Sequence, residues 1–241
     1  MYNPAGGTHH GRRDRAAGFC FFNDPVLAIL ALLDRGIPRV LYVDLDAHHG
    51  DGVEDAFADD PRVLTISVHE SSRWPVTGTG QGEGFRNLPV PKGFNDSELQ
   101  RIVDRALLPI GAAFRPEVLV IQGGADGLAD DPQSGLALSN NALWDAVRAL
   151  LPLAPKAILL GGGGYNPWSV GRCWAGIWAV ANGFAIPGRL PPEAEAVLRD
   201  LRWNHSRGRH PPDHWFTTLA DPPNPGPVRP EIDEAIAAAI G

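Results

Sequence analysis

The stretch Arg39-Val-Leu-Tyr-Val-Asp-Leu-Asp-Ala-His-His-Gly-Asp51 constrains this chain more than any other. Val40 to Val43 is a β-branched and apolar run that reads as a buried strand. The chain then places Asp44, Asp46, His48 and Asp51 in quick succession. If strand geometry persists, Asp44, Asp46 and His48 fall two residues apart and share one face. Carboxylates and an imidazole crowded together repel, or stay poorly solvated, without a cation between them. Oxygen and nitrogen ligands of this kind suit zinc and related divalent ions. A polar turn at Asp51-Gly52 is the simpler reading; the density of ligand types weighs against it.

The remaining segments alternate between strand and helix patterns. Asn23 or Asp24 caps a helix with Pro25 in its first turn and Val26, Leu27, Leu30 and Leu33 as its apolar face, stopped by Gly36. Residues 62–68 form a second strand, and residues 73–93 a long Gly- and Pro-rich loop. Asn95 with Glu98 forms a capping box for a helix toward Phe114, which Pro109 should kink or end early. Residues 117–122 are a third strand, ending at Gly123-Gly124-Ala125-Asp126. Ser139 or Asn140 caps a helix to about Leu151, and residues 157–160 are a fourth strand running into four glycines and Tyr165. A helix follows from Trp168 to Ala181, then a Pro-rich stretch and a terminal helix from Pro230. Such alternation predicts a parallel α/β sheet with helices on both faces. Ligands bind at the carboxyl ends of such strands, so Asp44–Asp51, Asp126 and Tyr165 should meet.

Bulk properties narrow the partners. A chain of 241 residues is long enough for one sizeable domain, 1–241. The net charge of −7, with no basic stripe, argues against nucleic acid. Two cysteines, Cys20 and Cys173, make no disulfide framework. The longest apolar run, Val26 to Leu33, is too short for a membrane span, and nothing resembles a signal peptide. A cytoplasmic enzyme is expected.

Chemistry can then be assigned to the convergence. Asp126 is a third ligand beside Asp46 and His48, or else a turn cap within its Gly-rich segment. Three protein ligands leave room for water and substrate, as catalytic metal sites do. His9 and His10, in a Gly-rich loop, can each pair with a spare acid, Asp44 or Asp51, which fixes the tautomer a general base needs. Tyr165 offers a phenol to a developing oxyanion. Together these groups describe metal-assisted attack of water on a carbonyl.

These residues resemble a known family. Gly6-Gly-Thr-His-His10, Ala17-Gly-Phe-Cys-Phe-Phe-Asn-Asp24, Tyr42 through Glu54, Gly124-Ala-Asp126 and Gly161-Gly-Gly-Gly-Tyr165 are similar, in order and spacing, to the motifs of histone deacetylases. The tail around His214-Trp-Phe and Asp221-Pro-Pro resembles the bacterial acetoin-utilisation type. The resemblance implies a three-layer αβα arginase/deacetylase fold and zinc-dependent removal of acetyl groups from lysine. Iron or another divalent ion suits the same ligands. By position it assigns Asp46, His48 and Asp126 to the metal, and His9, His10, Asp44, Asp51 and Tyr165 to catalysis. Phe19, beside Gly18, and Trp74 become the walls of an acyl-lysine tunnel, with Gly163 next to its floor. A potassium ion is implied near Asp44, Asp46, His48, Ser67 and Val68.

Two departures bear on the substrate. Trp74 replaces the usual phenylalanine, and Gln133 stands in the rim loop where an apolar residue is common. Met1 also lies almost on the first motif, whereas the family carries strands, helices and an acidic substrate-gripping loop before it; the chain is expected to lack that part and to be poorly soluble, oligomeric or weakly active alone. Acetylpolyamine hydrolysis is the nearest alternative activity, and an inactive, partner-dependent fragment the alternative from another class. A two-manganese ureohydrolase is disfavoured because Gly127-Leu-Ala follows Asp126 and supplies no second ligand set.

Overall fold

The computed structural model describes residues 1–241. Its six strands are β1 (Tyr2–Asn3), β2 (Val40–Asp44), β3 (Val63–Glu70), β4 (Phe85–Val90), β5 (Val118–Gln122) and β6 (Lys156–Leu160). All pair in parallel, in the order β1-β6-β5-β2-β3-β4. From β2 the chain winds outward through β3 and β4, then returns across the sheet to β5 on the other side of β2. The switch in winding direction therefore lies between β2 and β5, where doubly wound sheets open their ligand crevice.

Side-chain alternation shows that both sheet faces are covered. Leu41 and Val43 of β2 enter one apolar cluster with Leu119 and Ile121 of β5. Val40, Tyr42, Val118 and Val120 point into the other. The first cluster is closed by Leu99 and Ile102 of α3 (Asp96–Ile102), Leu143 and Val147 of α5 (Asn140–Leu150), Ile177 of α6 (Pro167–Ala181) and Ile232 of α9 (Pro230–Ile240). The second is closed by Ile29 and Leu33 of α1 (Asp24–Asp34) and by Val53 and Phe57 of α2 (Asp51–Phe57). Truncating a fully buried residue such as Leu41 to Ala would cost about 2–5 kcal/mol.

Several expectations need correction. The sheet has six strands rather than four. Strand β4 crosses the long loop expected at 73–93, and its Leu88 and Val90 are buried. Its Arg86, Asn87 and Pro89 interrupt the apolar pattern; an edge position tolerates them, because the missing proline N–H faces away from the ladder. Strand β1 is only two residues long, too short for periodicity to register. In α1, Pro25, Ile29 and Leu33 face inward, whereas Leu27 and Leu30 are exposed. Pro109 does not end its helix. A π-helical turn at Val103–Leu107 precedes α4 (Leu108–Phe114), so the wider turn absorbs the proline. The Pro-rich stretch contains α7 (Pro192–Asp200), and a short α8 (His214–Thr217) follows it. Asn23 and Ser139 are the caps of α1 and α5, accepting from Val26 N and Ala142 N, and the Asn95–Glu98 capping box is formed.

Candidate active site

Strand geometry ends at Asp44, so Asp44, Asp46 and His48 do not share a strand face. The chain turns after β2, and the turn divides the acids between two tasks. Asp46 and His48 face Asp126, which follows β5 across the switch point. His48 Nδ1 lies 3.1 Å from Asp46 Oδ1 and 3.0 Å from Asp126 Oδ2. One ligand atom from each of the three residues falls within 4.8 Å of the others.

Main-chain donors hold this cluster. Ala47 N donates to Asp126 Oδ1 at 2.9 Å, and Gly163 N to Asp46 Oδ2 at 2.8 Å. Gly163 must lack a side chain, because a Cβ there would strike the carboxylates of both Asp126 and Asp46. Gln122 Nε2, at the end of β5, adds a further donor to Asp46 Oδ2 at 2.8 Å.

The electrostatics suit a bound cation. Burial, then the charge of Asp46, pushes the Asp126 pKa up to about 7. Burial opposes charge on His48, yet Asp126 and Asp46 hold its pKa up to about 10. Two buried carboxylates that repel each other and compete for one imidazole proton are satisfied by a divalent ion in the place of that proton. The donor set of two oxygens and one nitrogen fits zinc or a related metal.

Two imidazole–carboxylate pairs stand beside the cluster. His9 Nδ1 and Asp44 Oδ2 are 2.7 Å apart, as are His10 Nδ1 and Asp51 Oδ1. The loop bearing both histidines is fastened by Asp24, which accepts from Gly7 N and Thr8 N, and by Asn23 Nδ2, which donates to the carbonyls of His9 and Gly11. Burial opposes a charge on His9, but Asp44 and Asp46 push its pKa up to about 9. Burial and the neighbouring His9 hold His10 below its ordinary value despite Asp51.

A cavity of about 630 Å³ opens over the cluster, lined in part by His10, His48, Phe19, Trp74, Gln133 and Tyr165. Phe19 and Tyr165 ring centroids are 6.2 Å apart, and Trp74 meets His10 edge-on at 4.6 Å. Gly18, at φ +52°, tucks under this wall; a Cβ would strike His10 and Trp74. Burial, then Asp126 and Asp46, raises the Tyr165 phenol well above its usual range, so it stays a proton donor. Asp131 Oδ2 accepts from Tyr165 N at 2.6 Å and fixes its backbone.

Comparison with known proteins identifies the fold and the lineage. The histone deacetylase domain model matches residues 1–181. The chain belongs to the histone deacetylase family. It is 37% identical to the acetoin utilization protein AcuC of Bacillus subtilis, over 99% of this chain and 64% of that protein. It is 37% identical to histone deacetylase 8 of Xenopus laevis over 78% of this chain and 61% of that one. The crystal structure of a histone deacetylase homologue from Aquifex aeolicus superposes with a TM-score of 0.93 at 36% identity, covering 100% of this chain and 67% of that chain. An equal match is to such a homologue complexed with SAHA. The chain thus spans about two thirds of the length of these relatives. No helix is long and apolar enough to cross a membrane.

The deacetylase frame also locates the remaining expected residues. Asp44 and Ser67 are register partners across β2 and β3, with Val68 next along the strand. Asp44 itself accepts three donors: Oδ2 accepts from Tyr42 Oη at 2.7 Å as well as from His9, and Oδ1 from Asp46 N at 3.1 Å. Several supporting residues escape sequence reading. Arg12 ion-pairs with Asp51 and with Asp55. Gln122 braces Asp46, Asp131 braces Tyr165, and buried His49 joins Thr77 and Glu54 at 2.8 and 3.0 Å. Only Tyr42 carried a usable signal: it stands two residues before Asp44 on the same strand, hence on the same face.

Proposed function

We propose that this chain is a metal-dependent deacetylase acting on acetyl-lysine side chains, a single catalytic domain working in the cytoplasm. One observation carries the reading: His10, His48 and Tyr165 line one cavity with aromatic walls, and behind them lie two imidazole–carboxylate pairs and a three-ligand cluster. Asp46, His48 and Asp126 would hold zinc, or iron in its place. Such an ion supplies Lewis acidity toward the amide oxygen and lowers the pKa of water toward neutrality.

The chain's own groups do the rest. Phe19 and Trp74 pass the apolar lysine arm and exclude water from it. His10 is held neutral, and Asp51 directs its Nδ1–H, so Nε2 is free to accept the proton of the attacking water. His9, whose pKa is held high, stabilises developing negative charge. Tyr165 Oη donates a hydrogen bond to the carbonyl oxygen as it becomes an oxyanion. The proton held at a histidine then passes to the lysine nitrogen as the C–N bond breaks, leaving acetate and free amine. A potassium ion near Asp44, Asp46, His48, Ser67 and Val68 would support the turn that carries the ligands.

The test is hydrolysis of an acetyl-lysine peptide by the purified chain, stripped of metal and then reloaded with zinc or iron. Metal-restored release of acetate is expected. Hydrolysis of an acetylpolyamine but not the peptide would move the substrate to small acetamides. Failure with every substrate and metal would reject the activity for this chain.

A further inference from the structure

Resting on the deacetylase reading, we infer that Arg73 is a specificity-determining residue that selects peptide-borne acetyl-lysine over acetylated polyamines. It immediately precedes Trp74 and lines the same cavity. Its guanidinium is clamped in one orientation. Nε donates to Glu70 Oε2, Nη2 to Glu70 Oε1 at 3.3 Å, and Nη1 to the Gln133 carbonyl at 2.6 Å. Glu70 is itself fixed: it is 7% exposed and accepts from Gly135 N at 2.7 Å. The clasp therefore joins the wall segment after β3 to the rim loop around Gln133.

A guanidinium has five donors in a planar fork, and three are engaged here. Two N–H groups remain on a side chain that is 31% exposed. What they meet depends on what lies beyond the lysine arm. In a peptide, that region holds main-chain carbonyls and neighbouring side chains, and oriented N–H donors suit such oxygen acceptors. In an acetylpolyamine it holds ammonium groups, which have no acceptor and carry the same charge sign as Arg73. Pairing with Glu70 weakens the long-range field of Arg73 but leaves its two directed donors intact. The shared chemistry of the favoured substrates is thus an oxygen acceptor just outside the aromatic walls, from a peptide carbonyl or an adjacent carboxylate.

Arg73→Ala and Arg73→Lys should be compared with the parent chain, metal-loaded, on three substrates: a neutral acetyl-lysine peptide, the same peptide with aspartate beside the lysine, and N8-acetylspermidine. For Arg73→Ala, KM for the peptides should rise about tenfold, the worth of one hydrogen bond to a charged group, with kcat nearly constant. KM for acetylspermidine should fall. Equal loss on both peptides would identify the main-chain carbonyl as the acceptor, and greater loss on the acidic one the carboxylate. Lysine keeps the charge but not the fork, so Arg73→Lys should give an intermediate peptide KM, which also covers poor folding of the alanine variant. Equal losses on all three substrates would reduce Arg73 to a structural clasp and overturn the inference, as would unchanged peptide KM values.

Calorimetric titration of the peptide into a Tyr165→Phe background separates this inference from the activity itself. That background should turn over about 10²–10³ more slowly than the parent. Peptide affinity that falls with Arg73→Ala upholds recognition even if turnover is never seen, and affinity that does not fall removes it.

Discussion

The two imidazole–carboxylate pairs have the same 2.7 Å separation and opposite proton affinities. His9 is pushed up to about 9, while His10 is held below its ordinary value. Their surroundings account for the difference. His9 leans on Asp44, which is wholly buried, and its Nε2 also lies 3.7 Å from Asp46. His10 leans on Asp51, whose other oxygen is taken by the Arg12 guanidinium, and it faces His9 at a ring separation of 3.9 Å. Pair geometry fixes the tautomer; the charges one shell further out decide which ring keeps its proton. Adjacent residues can thereby serve as a charged stabiliser and a neutral base.

The harshest test removes what both pairs serve. Asp46→Ala or His48→Ala deletes one of the three proposed ligands, so metal analysis of the purified variant should find no bound divalent ion and hydrolysis should fall to background. Two manganese ions bound by the parent chain would point to a different chemistry altogether. Next in size, His10→Ala should lose about 10²–10⁴ in turnover, the usual contribution of a general base. His9→Ala should lose less, since on the proposed roles it removes a charge rather than the proton acceptor. Equal losses from the two variants would erase the distinction between the pairs.

How much of this is legible in the sequence differs between the fold, the cluster and the supporting contacts. Strands β2, β3, β5 and β6 show as apolar runs because both sheet faces are covered, and their parallel pairing brings the polar residues at their ends together. Convergence of Asp46, His48 and Asp126 follows from that placement alone. The π-helical turn before Pro109 and the edge strand β4 do not show, because tertiary packing overrides local propensity at both. Arg12 reaches Asp51 from 39 residues away out of a polar loop, and no periodicity predicts such a contact. The proton affinities of the two histidines stay hidden for the same reason: they depend on partners that only the folded chain assembles.

Arg12→Gln sharpens the comparison through pH. His10 must be neutral to act as base, so activity is lost as pH falls through its pKa. Burial and His9 hold that pKa below the ordinary imidazole value, so the acid limb of kcat/KM lies to the acid side of an ordinary histidine; a divalent cation nearby would push it the same way. Without the Arg12 charge, Asp51 acts on His10 unopposed and the pKa rises. The acid limb should move toward neutrality, so kcat/KM falls on the acid side while little changes at about pH 8. A limb that stays in place would mean that Arg12 does not set the proton affinity of His10.

Tyr42→Phe should have the smallest effect on rate and a visible one on stability. Burial, then Asp44, holds the Tyr42 phenol far above its usual range, so it remains a donor to the Asp44 carboxylate. Phenylalanine preserves the ring that packs with Val40 and Val120 in the core beside α1 and α2. It removes one of the three donors on Asp44 and leaves His9 and Asp46 N in place. Losing a hydrogen bond to a buried charge costs about 1.5–3 kcal/mol, or roughly 3–12 °C in Tm for a chain of this size. Proton affinity at His9 should rise further, because Asp44 then leans on it more heavily. Asp44 and Asp46 already raise the proton affinity of His9, so a further rise alters little in turnover, and kcat should stay within a few-fold of the parent. If Tyr42→Phe instead lowers kcat as far as His10→Ala while the Tm holds, the His9–Asp44 pair is exchanging protons in the reaction, and the assignment of one charged and one neutral ring is wrong.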